Sequence, residues 1–215
     1  MPGAVTVYHG SPGVVRNPAF GKGRPYNDYG LGFYMTKNRT LAGEWAVFTT
    51  GQDGYINEYM LDYSGLRVLK LDEMPVENWI ATLVANRGGR LKPVARRRRK
   101  LFAQKFLPDI SAYDIIEGYR ADDSFFSYVE DFMSGEISKE ELTQALRLGD
   151  LGVQVCLKSE ASFKGIAFTN SYPASVSEYY DVAQQRDILA RRAYQEMLVA
   201  SSGVGVKVDD LLEVN

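Results

Sequence analysis

The chain has 215 residues, with 25 Lys and Arg against 27 Asp and Glu, so its formal net charge is −2 with its one His neutral. That length suits one domain or one domain with a helical insert, and the near-balance of charge excludes a global attraction to nucleic acid or anionic membrane. Cys156 is the single cysteine, which excludes an intramolecular disulfide and argues against a cysteine-based metal site; no metal is expected. The opening Met1-Pro2-Gly3-Ala4-Val5 lacks the basic and apolar regions of a signal peptide, and no apolar run approaches the roughly 20 residues that span a bilayer. A soluble, cytoplasmic protein is expected, with delivery as an effector left open.

In chain order, Val5-Thr6-Val7-Tyr8 reads as a first strand, broken by Gly10-Ser11-Pro12-Gly13. Residues 13 to 30 are dense in Gly, Pro and Asn and predict a long loop, a feature often functional in compact domains. Phe33-Tyr34-Met35-Thr36 predicts a second short strand, and Asn38 or Thr40 caps a helix carrying Ala42, Trp45 and Ala46. Tyr55 to Tyr63 and Leu66 to Leu71 carry β signals that suggest a hairpin turned at Ser64-Gly65. The middle is helical: Trp79, Ile80, Leu83 and Val84 follow helix spacing, as do Leu101, Phe102 and Phe106. Tyr113 to Gly118 reads as a strand. Phe125, Phe126, Val129 and Phe132 then form a helical stripe, and Ser138 with Glu141 forms a capping box. Val153 to Leu157 and Ile166 to Phe168 are late strands, Val176 to Val199 is a long helix, and Ser201 to Asn215 is a loosely attached tail. The order is α+β, without regular βαβ alternation. One domain over 1–200 is expected, with a helical insert at about 74–150.

The chemistry concentrates in the first 45 residues. Tyr8-His9-Gly10-Ser11 ends the first strand, Gly30-Leu31-Gly32-Phe33-Tyr34-Met35-Thr36 leads into the second, and Trp45 follows Tyr34 by eleven residues. Gln154 stands in the late strand Val153-Gln154-Val155-Cys156-Leu157. Gly30-Leu31-Gly32 is not a dinucleotide-fold fingerprint, because the third glycine and the strand–helix order are missing.

This ordered set resembles the His-Tyr-Glu group of ADP-ribosyltransferases. More closely, Tyr8-His9-Gly10-Ser11-Pro12, Asp28-Tyr29-Gly30-Leu31-Gly32-Phe33-Tyr34-Met35-Thr36, Asp122-Asp123 and Gln154 resemble a bacterial family, domain of unknown function 3990, over roughly residues 4 to 172. The resemblance implies two small, roughly perpendicular sheets forming a split β-sandwich cleft, with a helical insertion. It implies NAD as substrate: His9 binds a ribose hydroxyl, Gly10 offers backbone to the carboxamide, and Tyr34 and Trp45 sandwich the nicotinamide. Cation–π stacking of that kind is worth on the order of 1–2 kcal/mol when desolvated. Ser11, Gly32 and Thr36 join the cofactor-binding set by their place in the motifs, and Arg24 and Asp28 from the loop are expected near a ribose or phosphate. The implied activity is mono-ADP-ribosyl transfer to a protein or nucleic-acid acceptor, in a toxin-like protein with a possible antitoxin partner.

Gln154 departs from the usual Glu. It binds a hydroxyl but carries no charge and is no base, so Asp122 or Asp123 is the expected assisting carboxylate; that pair also suits a helix cap. Three alternatives stay open: a non-catalytic NAD-, ADP-ribose- or protein-binding module, an NAD glycohydrolase, and an RNA 2′-phosphotransferase-like enzyme. Arg96 to Arg99 reads as a solvated helix face or a docking patch. Cys156 reads as buried, on the strand face opposite Gln154.

Overall fold

The computed structural model describes residues 3–48, 50–87, 93–121, 123–148, 152–201 and 203–213. Alternation builds the first strand, β1 (Ala4–Ser11): Val5 and Val7 face one apolar cluster, and Tyr8 faces another. A long irregular segment follows, then β2 (Phe33–Thr36) and helix α1 (Arg39–Phe48). Asn38 is the cap, its Oδ1 accepting from the backbone of Thr40 at 2.9 Å and of Leu41 at 3.3 Å. Next come β3 (Gly54–Asp62), β4 (Val68–Lys70), α2 (Val76–Arg87) and α3 (Pro93–Phe106), and a short 3₁₀ turn at Ile110–Ala112. Then follow β5 (Ile115–Tyr119), α4 (Asp123–Ser134), α5 (Lys139–Ala145), β6 (Val153–Leu157), α6 (Glu160–Lys164), β7 (Ile166–Ala174), α7 (Val176–Ala200) and α8 (Val208–Glu213). The class is α+β. Among the described residues, no helix is long and apolar enough to cross a membrane.

The strands form one sheet in the order β4-β5-β6-β2-β1-β3-β7. Two expectations are corrected here. The hairpin at Ser64-Gly65 does not form: Gly65 makes the turn with a φ of 74°, but β3 pairs with β1 and β7, while β4 pairs in parallel with β5 at the far edge. A local turn signal does not say where its two strands find partners. The two separate sheets are instead one hydrogen-bonded sheet with a seam. Tyr8↔Thr36 is the single register pair joining β1 to β2 among the described residues, whereas β1 and β3 pair along all eight residues of β1.

Among the described residues, the segment 74–150 holds helices α2 to α5 and β5, whose place between β4 and β6 ties it to the sheet. Trp79, Ile80, Leu83, Phe102, Phe125 and Phe132 form the larger core on that side. Val7, Met35, Tyr59 and Val155 form a second cluster, and Ala42, Ala46, Val47 and Ile56 a third under α1. The capping box at Ser138 and Glu141 is present. The tail is docked rather than loose: Val208 is fully buried, Lys139 and Val206 share a backbone hydrogen bond of 2.8 Å, and Arg98 pairs with Asp209. Arg98 therefore serves packing, as does Arg99, which donates to the carbonyl of Ala85 at 2.9 Å. Arg96, Arg97 and Lys100 remain exposed.

Candidate functional site

The seam locates most of the expected residues. The pair Tyr8↔Thr36 would continue as Gly10 opposite Tyr34, but β1 and β2 part after it. The imidazole of His9 fills the break, its Nδ1 lying 2.7 Å from the Tyr34 carbonyl. A carbonyl only accepts, so Nδ1 carries the proton and Nε2 is the acceptor nitrogen of a neutral ring. Burial holds the His9 pKa below its ordinary value, against a weaker upward pull from that hydrogen bond. The ring also lies 4.5 Å from that of Phe33, centroid to centroid.

Gly10 is explained by α1. A Cβ there would stand 1.9 Å from the Ala42 carbonyl oxygen, so only glycine lets the helix cross β1 so closely. Ser11 anchors the loop: its hydroxyl donates to the Gly13 carbonyl at 2.8 Å and accepts from Asn57 Nδ2 at 2.9 Å. Asn57, fully buried on β3, also accepts from the backbone of Val15 at 2.8 Å.

On the sheet face that Gly10 shares and His9 does not, Tyr34, Thr36, Gln154 and Cys156 lie side by side in the ladder of β2 with β6. Cys156 thus shares the face of Gln154 instead of opposing it, since residues two apart on a strand point the same way; burial pushes its thiol pKa up to about 12. Thr36 is buried and accepts from the Asn38 backbone at 3.1 Å. The Tyr34 hydroxyl donates to the Gly30 carbonyl at 2.6 Å and accepts from the Tyr29 backbone at 2.9 Å. Burial drives its pKa far above the ordinary tyrosine value. Gly30 turns there with a φ of 75°, and Gly32 packs on Cys156 and Leu157.

Asp28 is buried and is the hub of this face. Its carboxylate accepts from Gln154 Nε2 at 2.7 Å, from the Ala121 backbone at 2.9 Å and from Arg87 at 3.0 Å. Gln154 Nε2 also reaches the Tyr119 carbonyl at 3.3 Å, which in addition accepts from Tyr29 at 2.6 Å and from Trp79 at 2.9 Å. Lys158 completes the clasp, donating to the carbonyls of Tyr29 and Leu31 at 2.6 Å each; burial lowers its pKa.

Trp45, on α1, meets the guanidinium of Arg120 at 4.7 Å from its ring centroid. Its buried indole Nε1 has no acceptor among the described residues. Arg24 is exposed in the loop. Asp122 lies outside the described residues, and Asp123 is described only as the first residue of α4. The structure therefore joins Asp28 to Gln154, sets His9 on the seam, and leaves Arg24 apart. Sequence reading missed Arg87, Asn57, Arg120 and Lys158; of these Lys158, directly after β6, and Arg120, two residues before Asp122-Asp123, sit beside motifs it singled out. Apart from the seam, a cavity of about 390 Å³ between α2 and α5 is lined by Glu77, Tyr119, Lys139 and Arg147.

A family model described as "Protein of unknown function (DUF3990)" matches residues 5–168. The chain belongs to the DUF3990 family. The match runs from β1 into β7, so the seam, the Asp28 clasp and Trp45 all lie within the family domain, while α7 and α8 follow it. No curated protein and no solved structure matches the chain.

Proposed function

We propose that this DUF3990 protein binds NAD at the seam between β1 and β2 and transfers ADP-ribose to a macromolecular acceptor. The observation that carries this reading is His9. It sits where the ladder parts, neutral, with Nδ1 fixed on the Tyr34 carbonyl and Nε2 left as acceptor. That nitrogen suits a ribose hydroxyl donor. Trp45 adds a stacking face and an indole N–H in need of an acceptor, and an unmet buried donor costs about 1–3 kcal/mol. In the reaction, the bond between ribose C1′ and the nicotinamide nitrogen breaks, and its electron pair leaves with neutral nicotinamide. A nucleophilic atom of the acceptor bonds to C1′ and releases a proton. Departure passes through an oxocarbenium-like state, as in glycoside cleavage, so holding the ribose still is a large part of the work.

A second reading, a binding module without turnover, is favoured by one observation. The Gln154 amide is spent on Asp28 and the Tyr119 carbonyl, and the Asp28 carboxylate is paired with Arg87. Incubation with NAD and quantification of released nicotinamide separates the two, with His9→Ala and Trp45→Phe as controls. Turnover reduced at least about 100-fold by His9→Ala is expected for the enzyme. Binding without release in the wild type would favour the module, and absence of NAD binding would overturn both.

A further inference from the structure

We propose that the cavity of about 390 Å³ between α2 and α5 is a second binding site, for a small organic carboxylate with an apolar body. It lies apart from the seam and stands independently of the NAD reading. Its size falls within the roughly 300–1,000 Å³ of small-molecule sites. Three segments wall it. Lys139, Thr143, Leu146 and Arg147 recur at helical spacing, so they share one face of α5 and of the turn that continues it. Met74, Pro75 and Val76 lead into α2, and Tyr119 ends β5. These walls are fixed without a ligand. Lys139 ties α5 to α2 through Glu77, the Thr143 hydroxyl donates to the Lys139 carbonyl at 2.8 Å, and the Tyr119 carbonyl accepts from Gln154, Tyr29 and Trp79. A preformed site loses little affinity to ordering itself.

The charge of the lining selects the ligand. Buried Glu77 accepts from Lys139 Nζ at 3.0 Å, which pairs the one carboxylate of the lining with a cation. Arg147 is a further cation; it is exposed, and its side chain has no hydrogen-bond or ion-pair partner among the described residues. The lining thus carries one positive charge in excess and suits a single negative charge. A carboxylate sets its two oxygens against the paired N–H donors of a guanidinium. A phosphate monoester, at a charge of about −1.5 to −2, brings surplus negative charge beside Glu77. An inorganic anion leaves Met74, Pro75, Val76 and Leu146 against water, where an apolar body gains from covering them.

The test is an NMR titration of the whole chain with 3-phenylpropionate, its neutral amide and inorganic phosphate, on wild type, Arg147→Ala and Thr143→Trp. Wild type is expected to bind the acid with amide shifts centred on Val76, Thr143 and Arg147, and to bind the neutral amide at least about tenfold more weakly. Arg147→Ala should weaken the acid by about tenfold and leave the neutral amide unchanged; Arg147 is exposed, so the variant keeps the fold. Thr143→Trp sets a ring in the cavity and should abolish both. Acid and amide bound equally, or acid binding that Arg147→Ala leaves unchanged, would overturn the assignment. So would the absence of any shift at about 10 mM acid, where even a dissociation constant of about 1 mM gives near-saturation. Inorganic phosphate bound as tightly as the acid would overturn the need for an apolar body. None of these results touches the NAD reading, which nicotinamide release decides.

Discussion

The two sides of the seam are built on opposite plans. On the β2 side, Asp28, Arg87, Gln154, Tyr119 and Lys158 close on one another, so that both carboxylate oxygens of Asp28 have partners. On the β1 side, His9 makes one polar bond to the neighbouring strand, and Trp45 meets its neighbour through a ring face alone. The first arrangement is a scaffold, satisfied internally and costly to open. The second consists of contacts that a ligand can replace one for one. Under the ADP-ribosyl-transfer reading proposed above, Gln154 would stand where a catalytic Glu is expected, yet its amide and the Asp28 carboxylate are bonded into the scaffold.

The largest effect is expected where the scaffold is cut. Arg87 and Asp28 are nearly buried, with side-chain exposures of 14% and 8%. Removing one partner of a buried pair strands the other, typically at about 3–5 kcal/mol. Arg87→Ala should therefore lose that much stability in urea denaturation. A loss under about 1 kcal/mol would mean that the clasp does not hold the loop and that Asp28 is available for ligand.

Gln154→Glu sharpens the contrast between scaffold and catalyst. If position 154 were a depleted catalytic site, a carboxylate there would raise nicotinamide release. The geometry instead sets it 2.7 Å from Asp28 in place of a donor, and like charges so close do not both ionise comfortably. The variant should lose about 2 kcal/mol at neutral pH, and part of that deficit should recover at pH 5, where the introduced carboxyl takes up a proton and donates. Coupling it with Asp28→Asn should cost less than the two single losses added together. Additive losses would place the two groups out of contact.

A loss of similar size is expected at Gly10. Its missing Cβ makes room for Ala42 of α1, so Gly10→Ala must push the helix off the strand, costing about 1–3 kcal/mol by overpacking. Because α1 also carries Trp45, the same variant should increase iodide quenching of that indole. Quenching unchanged alongside the stability loss would detach Trp45 from the α1 packing.

Much of the architecture was legible because it is local. The strands at Val5 and Phe33, the Asn38 cap, the α4 stripe and the Ser138–Glu141 box are each written within a few residues. Pairing across distance was not legible. Ser64-Gly65 announces a turn truthfully, and β4 still leaves for β5. Asp28 was marked by its motif, but its partners Arg87 and Gln154 stand 59 and 126 residues away, with nothing local in either to announce the contact. The tail reads as polar and short, and it docks because Val208 and Arg98 find partners in an already formed helical layer. At the site, the motifs singled out His9, which lies where β1 and β2 part, and Trp45, but nothing in them showed that Arg120 would lie over the indole.

The smallest expected effect, and the one that speaks most directly to the open side of the seam, is the response to acid. The His9 pKa is depressed by burial, so the folded state favours the neutral ring. The stability this contributes is fully present above the unfolded value of 6.5 and declines as pH falls from there toward the folded pKa, below which both states are protonated. Wild type should therefore weaken over this window relative to His9→Gln, in which nothing titrates at position 9. NAD affinity should fall at lower pH, as pH drops through the depressed folded pKa, by a different route, because protonation of the folded protein turns Nε2 from acceptor into donor and removes the partner proposed for the ribose hydroxyl. A stability decline without an affinity decline would leave His9 as a bridge across the seam and nothing more. An affinity decline that His9→Gln abolishes would tie the ligand to that one nitrogen.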